Sequence, residues 1–90
     1  MSKNTILTKD GFLVTIDIVL AAALSSKEHP VVSCEQVSRG NHIYTFKKTQ
    51  SLLRLVALFD NRRMKVKPFY FYQALENIHK EFHSGGRYDN

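Results

Sequence analysis

The chain has 90 residues, the length of one small domain, and 43% of them are hydrophobic with no low-complexity tract, which excludes a disordered polymer. Thirteen Lys/Arg stand against eight Asp/Glu, a formal net charge of +5 that suits an anionic partner and says nothing about fold. The single cysteine, Cys34, excludes an intramolecular disulfide framework and fits a reducing compartment.

Residues Met1–Gly11 read as a loosely held polar segment turning at Asp10-Gly11, followed by a short strand or packing segment at Phe12–Val14. Thr15 is the expected N-cap of a first helix over Ile16–Ser26, with Asp17 in its first turn and Ile16, Leu20, Ala23 and Leu24 at helical spacing. The run Ala21-Ala22-Ala23 offers small side chains to a close neighbour, and the helix must stop before Pro30. Val31–Val37 and His42–Lys48 read as two strands joined by the turn residues Ser38-Arg39-Gly40-Asn41, a β-hairpin. Tyr44 and Phe46 share the expected core face of the second strand with His42 beside them, and Val32 and Cys34 are candidates to meet them. Ile43, Thr45 and Lys47 take the other face.

Thr49 is the expected N-cap of a second helix, Gln50–Phe59, whose buried stripe of Leu52, Leu55, Val56 and Phe59 is widened by Leu53 and Leu58. Asp60-Asn61 ends it, and Arg62–Lys67 is a short basic connection. Pro68 at the first helical position opens a third helix reaching His83, with Phe71, Ala74, Leu75, Ile78 and Phe82 on one face and Phe69 capping that stripe. Gly85-Gly86 terminates it, and residues 84–90 read as a loose tail. The expectation is one domain over residues 1–90 of the α+β class, a small antiparallel hairpin sheet packed against three helices. The sheet would have two strands, with a third available. The stretch His42–Asn61, where the hydrophobic period switches from 2 to 3.6, is its expected organiser. A core this small gains from pairing, which makes a homodimer one expected way to enlarge it.

Thr15-Ile16-Asp17 opening an Ala/Leu helix, Tyr44-x-Phe46 before a Leu-rich helix, and Val66-x-Pro68 followed by Phe71, Ala74-Leu75 and Ile78 together resemble a small prokaryotic and phage domain family of unknown function. The resemblance covers about Thr15 to Phe82. It implies a bacterial or phage origin and the helix, hairpin, helix, helix layout, and it carries no catalytic residue to transfer. Members of that family often have an acidic turn after the position of Phe46, where this chain has Lys47-Lys48.

The chemistry-bearing residues point to binding rather than catalysis. His79 and His83 are four apart on a helix, yet two imidazoles do not complete a zinc site, and HKEFH lacks the acid that follows the first His in zinc proteases. Cys34 has no neighbouring cation in sequence to activate it, although His42 could reach it across the hairpin. The acids are scattered and no Gly-rich phosphate loop is present, so no enzyme activity, cofactor or metal is expected. Between Lys47 and Lys67 lie seven cations, Lys47, Lys48, Arg54, Arg62, Arg63, Lys65 and Lys67, against one acid, Asp60. Tyr70 and Tyr72 follow immediately and cannot both join the core face. Cations on phosphates with tyrosines stacked on bases define a nucleic-acid-binding accessory protein. The same residues suit an acidic protein surface, and so a protein-interaction module such as a phage-encoded inhibitor or adaptor of a larger host complex. No apolar run of signal-peptide length precedes the first charges, and the longest, Ile18–Leu24, falls far short of the roughly 20 residues of a membrane span. A cytoplasmic protein without membrane contact is the expectation.

Overall fold

The computed structural model of the chain describes residues 5–8 and 10–83, the side chain of His83 excepted. Within them the order is β1 (Thr5–Leu7), β2 (Phe12–Thr15), α1 (Ile18–Ser26), β3 (Ser33–Ser38), β4 (Asn41–Lys47), α2 (Gln50–Asp60) and α3 (Pro68–Ile78), with α3 passing into a π-helical turn at His79–His83. The expected terminator Gly85-Gly86 and the tail over 84–90 lie outside the described residues.

The α+β class holds, but the sheet is larger than a hairpin. Its four strands run in the order β1-β2-β4-β3, every neighbouring pair antiparallel. The expected hairpin is β3–β4. β2 joins its other side, pairing Leu13 with Phe46 and Thr15 with Tyr44. β1 adds the edge, so the segment expected to be loose before Gly11 contains a strand whose Thr5 is buried. β1 has three residues and β2 four, too short for alternation to register in the sequence. The β3 edge is interrupted by a register shift between Gln36 and Ser38.

Alternation sorts the sheet into two faces. Leu13, Thr15, Tyr44 and Phe46 point inward and are buried, with the half-buried Cys34 directly across from Tyr44. Val32, a second candidate partner for those rings, lies just before β3 and is exposed. The helices cover the inward face. Leu13, Tyr44 and Phe46 form one core with Leu20, Ala21, Ala22 and Leu24 of α1, Leu52 and Val56 of α2, and Ile78 of α3.

α1 is the innermost helix. Five consecutive residues, Leu20 to Leu24, are buried, so it has no polar face, which is the signature of a helix enclosed on all sides. It packs most extensively on α3 and also meets α2 and β2. The alanines permit that enclosure, because short side chains let the neighbouring backbones approach. Its N-cap is Asp17, two residues past the expected Thr15. The Asp17 carboxylate accepts from the amides of Val19 at 2.9 Å and Leu20 at 3.3 Å. Thr15 ends β2 instead; its buried hydroxyl accepts from the amide of Asp17 at 3.0 Å and so positions the cap. At the other end the amides of Glu28 and His29 return to the carbonyls of Ser25 and Leu24, a Schellman closure with Glu28 in the left-handed region at φ 70°.

α2 begins where the sequence placed it, with the Thr49 hydroxyl accepting from the amide of Leu52 at 3.0 Å. α3 begins at Pro68 as expected. Its inner face carries Ala74 and Ile78, with Phe71, Leu75 and Phe82 partly buried against the core.

Replacing Ala22 by Leu should destabilise the fold by about 1–3 kcal/mol through overpacking around α1, and Asp17→Ala by about 1 kcal/mol through loss of the cap, both read by urea denaturation. Thr15→Val removes the buried hydroxyl that accepts from the Asp17 amide and should cost at least about as much in the same measurement.

Candidate nucleic-acid interface

The cations of the Lys47–Lys67 segment are held by different local structures. Arg54 is exposed on the outer side of α2, one turn before the exposed Leu58. The end of α2 then closes in a second Schellman arrangement: the amide of Arg62 donates to the carbonyl of Phe59 at 3.0 Å, and that of Arg63 to Leu58 at 2.7 Å. The residue that reverses the chain here is Arg62, at φ 58°, where glycine is the usual occupant. The amide of Met64 also reaches the Leu58 carbonyl, at 3.2 Å, and its side chain packs on the core.

From there the connection alternates. Met64 and Val66 are half-buried, whereas Lys65 and Lys67 are exposed. Anchoring every second residue turns the intervening cations outward, as on the edge of a strand. Arg54, Arg62, Arg63 and Lys65 are all exposed, the first on α2 and the others in the connection that leaves it. α2 has eleven residues and so is about 16 Å long.

The remaining expected site residues are elsewhere. Lys47 ends β4 opposite Phe12 and, being one residue past the buried Phe46, projects from the outward face of the sheet. Lys48 is half-buried at the strand–helix joint, its amide donating to the carbonyl of Gly11 at 2.8 Å. The first turn of α2, which follows, is tied to the end of α1 by His29 Nε2 and Ser51 Oγ, 3.3 Å apart. Lys67 lies over the ring of Tyr70, 5.9 Å from its centroid, so one face of Tyr70 is taken by a cation of its own chain. Tyr70 turns toward the end of α1, lining a shallow cleft with Ser26, Lys27 and Glu28. Tyr72, about 200° further round the helix, lines a separate open groove with Phe69, Gln73, Leu75, Glu76 and His79. Of the nine expected residues, Arg54, Arg62, Arg63 and Lys65 are exposed on α2 and its exit, Lys67 and Tyr70 pair with one another, and Lys47, Lys48 and Tyr72 stand apart.

Two features escaped the sequence. Phe69, expected to cap the core stripe of α3, is 70% exposed beside Tyr72 at 67%. The conformation of Arg62 also left no trace, because nothing in composition or spacing signals a left-handed arginine.

Cys34 is a free, half-buried thiol. Burial pushes its thiol above the ordinary value, which holds it protonated at neutral pH. Burial, reinforced by Cys34, pushes the Tyr44 phenol up to about 12. Both groups bind their protons more tightly in the folded chain. Their contribution to stability is complete below the unfolded values and is lost as pH rises through the folded ones. Unfolding free energy should accordingly fall between pH 10, the ordinary tyrosine value, and about 12, and fall less steeply in Tyr44→Phe; guanidinium titrations across that range measure both slopes.

No family model matches the chain, and neither the curated proteins nor the solved structures searched for likeness return a match.

Proposed function

We propose that the protein is a small non-enzymatic accessory protein that binds nucleic acid through Arg54, Arg62, Arg63 and Lys65. The observation that carries this reading is the run of exposed cations at the end of α2, where the left-handed Arg62 reverses the chain. A non-glycine residue in that region costs about 1–2 kcal/mol, as at Glu28 after α1, and glycine would close α2 without it. Here the side chain retained is a cation, followed by Arg63 and Lys65, with Arg54 exposed on the helix before them. Four exposed cations with Met64 fixed between them suit a phosphate backbone, whose contacts orient a protein without reading sequence. Lys47, Lys48 and Lys67 would add long-range attraction from other faces.

A second reading is favoured by a different observation. Phe69 and Tyr72 are the most exposed aromatics described, and they share one groove on α3. Large aromatics of this kind anchor protein interfaces. An interaction module, such as a phage-encoded inhibitor or adaptor acting on an acidic partner surface, would use that groove and leave Arg62 free.

Arg62→Gly separates the two. It should raise the unfolding free energy by about 1 kcal/mol by relieving the left-handed residue. Combined with Arg63→Ala it should weaken binding to single- or double-stranded oligonucleotides and flatten the dependence of log K on log salt by roughly 0.7–0.9 per contact removed. Fluorescence anisotropy over a salt series reads the slope. Absence of binding at low salt, or a slope unchanged in the double variant, sinks the nucleic-acid reading.

A further inference from the structure

The outward face of the sheet is not covered by any element among the described residues. Ile6, Val14, Thr45 and Ser33 form its middle row, one residue from each strand in the order β1-β2-β4-β3. Phe12 and Lys47 form the row on one side, and Ile43 and Glu35 the row on the other. Ile6 is 65% and Phe12 37% exposed, Val14, Ile43 and Thr45 are half-buried, and the two charges are exposed at opposite ends of the face. None of Ile6, Phe12, Val14 or Ile43 belongs to the core or packs against it. An antiparallel sheet with one solvated face ordinarily places polar residues there. This one places a β-branched and aromatic patch, bounded by one lysine and one glutamate.

We infer that this face docks a second copy of the chain, sheet against sheet, about a two-fold axis lying along the row Ile6–Val14–Thr45–Ser33. The pattern of charge selects that occupant. Such an axis leaves each strand over its own counterpart and exchanges the two outer rows. Lys47 of one protomer then stands over Ile43 of its partner, one strand spacing of about 4.8 Å from the partner's Glu35, across sheets about 10 Å apart. A lysine side chain spans that offset. The contact occurs twice, because the interface is isologous. On the axis itself Val14 and Thr45 meet their own copies, and Ile6 does the same at the edge. Apolar residues meet apolar residues, and each cation meets an anion. The face, four strands of three to seven residues about 4.8 Å apart, offers less than half the area of a standard interface, which suits a weak, reversible dimer rather than an obligate one.

The inference is independent of the nucleic-acid reading, since Arg54, Arg62, Arg63 and Lys65 belong to the helical side. Sedimentation equilibrium of nuclease-treated protein tests it, with far-UV circular dichroism confirming that each variant is folded. The unaltered chain should show a monomer–dimer equilibrium. Lys47→Glu and Glu35→Lys should each raise the dimer dissociation constant about tenfold, since both rim pairs turn from attraction to repulsion. The double reversal should return it to within about threefold of the original. Val14→Lys, which buries two like charges on the axis, should weaken the dimer about 100-fold or more. Phe69→Ser with Tyr72→Ser, on α3, should leave it unchanged. A chain that stays monomeric at millimolar concentration overturns the proposal. So does a dimer indifferent to the charge reversals, or one dissolved by the α3 double variant.

Discussion

The structure depends on the enclosure of one nine-residue helix. α1 presents no side to water over Leu20 to Leu24, and α3, α2 and β2 pack directly around it. The sheet supplies Leu13, Tyr44 and Phe46, α2 supplies Leu52 and Val56, and α3 supplies Ile78. Three alanines in that helix set the distances. With larger side chains the same cast of residues would have to stand further apart, and a domain of this length has too few of them to close the gaps. The first amides of a helix have no partner within it, and Asp17, steadied by the hydroxyl of Thr15, accepts from those of Val19 and Leu20 where α1 emerges at the surface.

The local signals in the chain proved readable where the physics is local. Thr49 and Pro68 mark the starts of α2 and α3 because capping and the missing proline amide act within a single turn. Tyr44 and Phe46 were legible as core because alternation holds over all seven residues of β4. What was not legible is what arises from pairing across the chain. β1 and β2 are too short to announce themselves and exist because β4 offers a free edge. That same pairing moved the N-terminal cap, since Thr15 is committed to the sheet. The stretch His42–Asn61 looked like the organiser because its apolar residues are large. The organising element is the smaller-looking α1, whose importance lies in what fits round it.

The basic segment shows the limits of reading charge along a line. Lys47 and Lys48 are adjacent in sequence, yet one projects from the outward sheet face and the other is folded into a joint. Lys67 spends its ammonium on Tyr70. What survives as a group is set by the alternation of Met64 and Val66 against Lys65 and by the reversal at Arg62. The sign of the charge was legible from composition. Its division among faces needed the register of β4 and the geometry at the end of α2.

The register shift in β3 has a further consequence. A sheet with a long, regular edge can accept strand after strand, and association through such an edge has no natural end. Between Gln36 and Ser38 the amides and carbonyls of β3 fall out of phase, so a strand added along that edge would lose its ladder part-way. The same irregularity that bends β3 makes its edge a poor template for growth.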